Sequence, residues 1–304
     1  MNISELLCRR FGFSQIQLKA YVQTCPHRYK TYPIDKRTKG VRWISQPSRD
    51  LKAVQRFLLD QLLNPKLAVH DAATAYRSKL SIIDNVRPHL KNPYLLKMDF
   101  SDFFPSIRGH DFVQYLLEEA IVGSEEDAST LAQIFFKRDL GDLKLTIGSP
   151  GSPIISNALL YKFDDFTDNE CKKRGINYTR YSDDMAFSTN HKGALFEIPA
   201  LIEEALRNVK CPKLKINRDK TIYTSKKFNR HITGITITNE GTQSIGRDRK
   251  RLLRAQIFDA PNLSKKELVS LRGKIAFADQ VENGLKAKLQ LKYPEQMKLI
   301  MSAN

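Results

Sequence analysis

Apolar side chains recur along this chain with two periods, and each change of period marks a new element. Over residues 1–31, Leu6, Leu7, Phe11, Ile16, Leu18 and Tyr21 fall at helical spacing, and Gly12 breaks the run. Residues 32–47 alternate on either side of a basic turn carrying Lys36, Arg37, Lys39 and Gly40, which predicts a hairpin. Helical spacing returns at Leu51, Val54, Phe57, Leu58, Gln61 and Leu62, a core-facing stripe that Pro65 closes. Residues 72–77 read as a loop and 81–89 as a short helix. Residues 94–100 form an apolar run, a buried strand that delivers Asp99 to its C-terminal end. A lone buried carboxylate is costly, so a partner charge is expected there.

Residues 111–122 and 126–138 carry apolar stripes at helical spacing. Residues 145–153 hold two glycines and two prolines in nine positions and cannot be regular structure; residues 154–163 read as a helix. Asp164-Asp165 falls in that helical context and reads as a solvated face. Ile176-Asn177-Tyr178-Thr179-Arg180 and Met185-Ala186-Phe187-Ser188 alternate as strands around Tyr181-Ser182-Asp183-Asp184, which predicts a tight hairpin with two carboxylates at its tip. Residues 194–209 form an amphipathic helix, while 214–223 and 231–238 each read as a strand. From residue 244 basic helices take over. The expectation is an α+β body followed by a helical basic unit, with no internal repeat.

Charge narrows the choice of partner. The chain has 304 residues, 50 Lys and Arg against 33 Asp and Glu, a net charge of +17 and a pI near 9.7. Such an excess points to a polyanion, most often nucleic acid. No apolar run is long enough to span a bilayer, and Met1-Asn2-Ile3-Ser4-Glu5-Leu6-Leu7 lacks the apolar core of a secretory signal, so a cytoplasmic protein is expected. Cys8, Cys25, Cys171 and Cys211 form no CxxC pair, and the six histidines are dispersed, which argues against a zinc site or a disulfide framework.

Two adjacent carboxylates at a turn repel each other, and a hard divalent cation with oxygen ligands would relieve the repulsion; an exposed polar turn is the competing reading. If the strand ending in Asp99 neighbours the hairpin, three carboxylates could face one point and hold two Mg²⁺, an arrangement suited to phosphoryl transfer. The basic turn at Lys36, Arg37 and Lys39 reads as a phosphate grip or as a solvated loop.

Taken in order, these segments resemble the reverse transcriptases. Tyr181-Ser182-Asp183-Asp184 is similar to their YxDD box, with Ser where Ala is commoner. Leu96-Lys97-Met98-Asp99-Phe100-Ser101-Asp102-Phe103-Phe104 is similar to their first carboxylate motif. Gly40-Val41-Arg42-Trp43-Ile44-Ser45-Gln46-Pro47 resembles the fingers hairpin. Gly148-Ser149-Pro150-Gly151-Ser152-Pro153 resembles the Gly/Pro-rich entry to a palm helix, and residues 214–221 the Lys-bearing palm motif. Asn85-Val86-Arg87-Pro88-His89 and Ile232-Thr233-Gly234 resemble elements of the bacterial retron branch. One departure is Thr146-Ile147 where the family commonly has Pro-Gln, which bears on nucleotide selection.

The resemblance implies a right-hand polymerase fold: fingers at 1–95, a palm at 96–240 with a fingers insertion around 110–150, and a helical thumb at 241–304. It implies that Asp99, Asp183 and Asp184 bind two Mg²⁺, with Mn²⁺ as an alternative. Arg42, Lys36 and Lys39 would contact dNTP from the fingers, and Phe104 would crowd a 2′-OH. Phe100, Asp102, Gly148, Ser149 and Lys220 would lie near the nucleotide. Tyr181 would pack near the primer end, and Arg247, Arg249, Lys250, Arg251 and Arg254 would meet the duplex. The implied activity is RNA-directed DNA synthesis primed from an RNA 2′-OH, giving msDNA. Its implied partners are a structured msr–msd type RNA, the DNA product and an effector or toxin protein in phage defence. A scaffold for an RNA–DNA hybrid and an effector is the alternative. An RNA-templated RNA polymerase is a third reading, disfavoured by an aromatic at Phe104.

Overall fold

The computed structural model describes residues 2–36, 40–209 and 212–303. Helices α1 (Ile3–Phe11) and α2 (Gln15–Thr24) come first, separated by Gly12, whose left-handed backbone (φ 73°) caps α1. The hairpin β1 (Tyr29–Asp35) and β2 (Val41–Pro47) follows. Next, α3 (Arg49–Leu58) runs through a π turn, Leu59–Leu63, into α4 (Asn64–Lys66), and α5 (Ile82–Val86) precedes strand β3 (Tyr94–Ser101). Helices α6 (Phe103–Ser106), α7 (Gly109–Glu118) and α8 (Glu125–Phe135) lead to the small hairpin β4 (Lys137–Asp139) and β5 (Asp142–Lys144). Helices α9 (Ser152–Leu159) and α10 (Tyr161–Lys173) precede β6 (Asn177–Tyr181) and β7 (Asp184–Thr189).

The second half opens with α11 (Ile198–Asn208), then β8 (Lys215–Ile216), β9 (Ile222–Ser225), β10 (Arg230–Ile232), β11 (Ile235–Ile237) and β12 (Gln243–Ser244). It closes with α12 (Arg247–Phe258), α13 (Lys265–Val281), α14 (Leu285–Lys292) and α15 (Pro294–Ser302). No helix among the described residues is long and apolar enough to cross a membrane.

The central antiparallel sheet has the order β6-β7-β3, with β8 and β9 both pairing the far edge of β3. Side chains alternate across a strand, so β3 serves two faces at once. Leu96, Met98 and Phe100 join Met185, Phe187 and Tyr178 in a large core with Phe163, Ile202 and residues from the N-terminal helices. Leu95 and Ala186, on the opposite face, join a second core with Ile232, Ile235, Ile257, Leu271 and Ile300 from the C-terminal unit. That unit covers only the Leu95 end of the face. The Asp99 end stays open between the two cores.

Several expectations need correction. The two helices after β3 are shorter than read: residues 119–122 are not helical, and the chain turns extended at Phe136. Gln61 is exposed rather than core. Residues 214–223 are not one strand, because a 3₁₀ turn at Arg218–Lys220 separates β8 from β9. The Asn217 N–H donates to the Asp99 carbonyl (2.8 Å), so the interruption is built onto β3. Residues 231–238 likewise form a hairpin, reversing at Thr233 and Gly234 (φ 46° and 81°). Alternation alone cannot distinguish one strand from two short ones joined by a two-residue turn.

His89 lies wholly inside the structure, with Nδ1 2.7 Å from Ser188 Oγ and Nε2 2.8 Å from Thr179 Oγ1, so it staples β6 to β7. Burial pushes its pKa down to about 3. An unfolded chain takes up this proton near pH 6.5, whereas the folded chain resists until about 3. The contribution of His89 is therefore full above pH 6.5 and erodes as pH falls towards 3, by about 1.4 kcal/mol per pH unit. We expect His89→Asn to be less stable at pH 7.5 by about 2 kcal/mol and to lose stability less steeply on acidification. Urea midpoints for both proteins at pH 7.5 and 5.0 measure this, and parallel declines would contradict it.

Candidate active site

In the antiparallel register of β3 and β7, Asp99 faces Asp184, and Tyr181 pairs with Asp184 across the β6–β7 turn. Ser182 and Asp183 form that two-residue turn, and the Asp183 carbonyl accepts from the Phe100 N–H (3.2 Å). Three carboxylates thus come to the open end of one sheet face. Asp99 is 5% exposed, Asp183 half-buried and Asp184 exposed. Loss of solvent around its carboxyl, then the charges of Asp183 and Asp99, raise the Asp184 pKa to about 7. Burial and the charge of Asp99 raise that of Asp183 as well.

Lys220 supplies the partner charge expected for Asp99, with Nζ 2.9 Å from Oδ2. The 3₁₀ turn that splits the expected strand is what brings it there. Asp99 Oδ1 is buried and has no hydrogen-bond partner. Among the described residues, no three acidic, His or Cys side chains close into a cage for an ion. The donor set nevertheless fits a hard cation: an orphaned carboxylate oxygen lies beside two carboxyls that resist ionising together. Mg²⁺ usually takes only one or two protein carboxylates and completes its shell with water and substrate phosphates.

The remaining residues singled out from sequence divide into those at this face and those that are not. Tyr181 is half-buried, its ring 6.4 Å from that of Tyr76. Asp102 is exposed in a left-handed conformation (φ 45°) at the start of α6, and Phe104 is half-buried with its ring 5.2 Å from Phe103. Arg42 is exposed on β2, close enough to Tyr76 for its charge to act on that hydroxyl, whose pKa burial raises. Lys36 is exposed, while Arg37 and Lys39 lie outside the described residues. The side chain of Phe100 belongs to the large core, stacked at 5.8 Å on Phe103, and points away from the carboxylates.

Gly148 and Ser149 do structural duty. Gly148 has φ 116°, and a Cβ there would meet the Ser45 carbonyl at 2.9 Å, so glycine lets the Gly/Pro-rich loop lie against β2. The Ser45 N–H donates to Ile147 O (2.8 Å), and the buried Ser149 hydroxyl donates to Gln55 Oε1 (3.3 Å). Of the α12 cations, Arg247, Arg251 and Arg254 are exposed. Arg249 donates to the Gly234 carbonyl (2.7 Å), and Lys250 is paired with Glu282 (2.6 Å). Lys250 is thus committed within the C-terminal unit rather than free for a ligand.

The largest correction concerns Asp164. It is not on a solvated face but completely buried, paired with the equally buried Arg180 at 2.5 Å. Asp164 also accepts from Tyr178 Oη (2.7 Å), and Arg180 Nη1 donates to Asn157 Oδ1 (3.1 Å) and to the Ser182 carbonyl (2.9 Å). Removing one partner of such a pair costs about 3–5 kcal/mol. One signal was present in the sequence: Asp164, Thr167 and Cys171 share a helical stripe, and all three are buried. Sequence reasoning also missed Tyr76, a non-glycine residue at φ 64° whose hydroxyl lies 3.2 Å from Ser182 Oγ.

Residues 34–237 match the family described as reverse transcriptase (RNA-dependent DNA polymerase). Over 301 residues the chain is 38% identical to the retron Ec83 reverse transcriptase of Escherichia coli, covering 97% of this chain and 95% of that one. It is 28% identical to the retron Ec86 reverse transcriptase of the same organism, over 88% and 80% of the two chains. Among solved structures, telomerase from Candida albicans, in complex with a telomeric RNA fragment, superposes with a TM-score of 0.51 at 12% identity. That match covers 94% of this chain and 59% of the telomerase chain, and it speaks to the fold alone.

A carboxyl whose folded pKa is raised favours the folded state at low pH and loses that contribution as pH rises through the folded value. Without divalent cations, Asp184→Asn should therefore be more stable than the native protein at pH 8, by on the order of 1 kcal/mol after solvent screening. The difference should shrink towards pH 4. Thermal melts in EDTA at the two pH values test this; a destabilised variant at pH 8 would show that the cluster is not strained by like charge.

Proposed function

The chain belongs to the retron-type reverse transcriptases and is an RNA-directed DNA polymerase, and on that footing we propose that it copies part of a structured msr–msd type RNA into single-stranded DNA. Synthesis starts from a 2′-OH within the RNA, so the product stays attached to it as msDNA. The observation that carries the reading is the pairing of Asp99 with Asp184 beside Asp183, on a sheet face left open between two cores, with Asp99 Oδ1 unpartnered.

Asp99, Asp183 and Asp184 would hold two Mg²⁺, or Mn²⁺ in their place. Bound there, the ions would lower the pKa of the attacking hydroxyl and neutralise charge on the leaving phosphates. The protein's part is placement. Arg42 and Lys36, both exposed on the hairpin, reach the triphosphate from that side, as cations on an exposed arm suit polyphosphate, and Lys39 is assigned the same contact from the sequence alone. Lys220 stabilises the Asp99 carboxylate and lies within reach of phosphates on the same face. Phe104, braced on Phe103, crowds the sugar edge, and Asp102 lies beside it. Gly148 and Ser149 act indirectly, by docking the loop to β2, and the part of Phe100 is to anchor β3 in the core.

Tyr181 packs near the primer end. The exposed Arg247, Arg251 and Arg254 face the duplex, with Arg249 shaping the turn at Gly234. Residues 1–95 act as fingers, 96–240 as palm with an insertion around 110–150, and 241–304 as thumb. The net charge of +17 supports a nucleic-acid partner. The setting is a cytoplasmic phage-defence system that pairs the enzyme and its msDNA with an effector protein.

With poly(rA)·oligo(dT), dTTP and Mg²⁺, the native protein should extend the primer, and EDTA should stop it. Asp183→Asn should lower the rate by about 10³-fold or more; undiminished synthesis by that variant would refute the assignment. DNA of fixed length, covalently joined to RNA and co-purifying with the protein, would establish the msDNA product on sequencing. Phe104→Ala should leave dTTP incorporation within about threefold and raise UTP incorporation about 10- to 100-fold. An unchanged dTTP/UTP ratio would remove Phe104 from sugar selection.

A further inference from the structure

The turn that carries Asp183 has an unusual occupant. Tyr181 and Asp184 are a register pair, so Ser182 and Asp183 are the central residues of a two-residue hairpin loop. Of these two, Ser182 alone has a positive φ, 62°. A two-residue loop with positive φ at its first central position is where glycine is strongly preferred. A serine persists in such a conformation only when its surroundings over-determine it. The surroundings here are specific. The Ser182 carbonyl accepts from Arg180 Nη1 (2.9 Å), and its side chain, 5% exposed, lies 3.2 Å from the Tyr76 hydroxyl.

Arg180 can hold that carbonyl in place because it is itself immobilised. Its Nε and Nη2 donate to the two oxygens of Asp164 (2.8 and 2.5 Å), and Nη1 also donates to Asn157 Oδ1 (3.1 Å). Asp164 is fixed in turn by the Tyr178 hydroxyl, and Asn157 by its bond to the Ala75 carbonyl (2.9 Å), next to Tyr76. The guanidinium is planar, with its donors in a rigid fork, and it uses that fork on three rigid elements at once. A purely structural ion pair would have no need to reach the backbone of the turn.

We propose that Arg180, oriented by Asp164 and Asn157, is a positioning residue for the active centre. It holds Ser182 in the left-handed conformation that aims the Asp183 and Asp184 carboxylates at Asp99. This rests on the carboxylate centre proposed above, which Asp183→Asn tests separately. If that variant is active, the centre is misassigned. If it is inactive and the pattern below fails, only the role of Arg180 falls.

The experiment uses the full chain with poly(rA)·oligo(dT), dTTP and Mg²⁺, following kcat, KM for dTTP, the Mg²⁺ concentration for half-maximal rate, and Tm. Arg180→Lys keeps the charge, but one ammonium nitrogen with three donors cannot span the four oxygens that the guanidinium serves on Asp164, Asn157 and Ser182. It should lower kcat about 10- to 100-fold, as misplacement of reacting groups by about an ångström does, and raise the Mg²⁺ requirement, with KM for dTTP little changed. Adding Ser182→Gly, which adopts positive φ without help, should restore kcat at least about fivefold without restoring Tm. Asn157→Ser leaves the Arg180–Asp164 pair intact and should show a smaller fall in kcat with the same rescue; it serves if Arg180→Lys does not fold. A fall in Tm with kcat and Mg²⁺ requirement unchanged would overturn the proposal. So would failure of Ser182→Gly to restore kcat in either background, or rescue only in step with Tm.

Discussion

Everything at this site follows from setting like charges side by side on a sheet. The β3–β7 register puts Asp99 opposite Asp184, and the turn adds Asp183 next to it. Left alone, such carboxylates move apart or take up protons, and the pKa values of Asp183 and Asp184, raised first by burial and then by the neighbouring charges, reflect that pressure in part. The surrounding structure is arranged to resist both outcomes. Lys220 steadies one oxygen of Asp99, strand pairing fixes the backbone of Asp184, and a buried guanidinium holds the turn from beneath.

That resistance comes from packing at a distance. The large core clamps the hidden face of β3 and β7 through Leu96, Met98, Phe100 and Phe187. The second core grips the opposite face only near Leu95 and Ala186, which leaves the carboxylate end open to solvent and substrate. Between them, His89 joins β6 to β7, and residues 72–74 pair with the outer edge of β6 through Arg180 N–H to Ala72 O (2.7 Å) and Thr74 N–H to Arg180 O (2.9 Å). The edge that a two-strand hairpin would otherwise expose is therefore covered. The result is a rigid mount beneath a strained turn whose neighbouring Asp184 is exposed, the usual distribution of stability around a functional site.

The Gly/Pro-rich loop shows how a motif can matter without touching a ligand. Its glycine permits the backbone of residues 146–149 to lie against β2, so the cationic hairpin and the body of the protein are joined by a backbone hydrogen bond from the Ser45 N–H to the Ile147 carbonyl and by one from the Thr146 hydroxyl to the Ser45 carbonyl. Arg42 is thereby carried on a strand whose partner loop leads directly into α9. Asn85 and His89 have a similar character. They are buried, and they tie the short helix α5 and the turn after it to the β6–β7 hairpin, through Thr74, Thr179 and Ser188.

By itself the sequence determined the α+β class, the β1–β2 and β6–β7 hairpins, the buried strand that carries Asp99 near its end and the helical C-terminal unit. All of these are written in local periodicity and turn chemistry. It also determined the carboxylates, because adjacent Asp residues at a strand turn are visible without a partner. Only the tertiary structure decided what those residues meet. The helical stripe of Asp164, Thr167 and Cys171 hints that Asp164 turns inward, but it does not name Arg180 as the partner, since the deciding contact spans 16 positions and two elements. Nothing in the alternation of residues 214–223 shows the turn that carries Lys220 to Asp99 across 121 positions. Charge pairing in a buried site is a property of converging elements, and convergence is what a one-dimensional pattern does not contain.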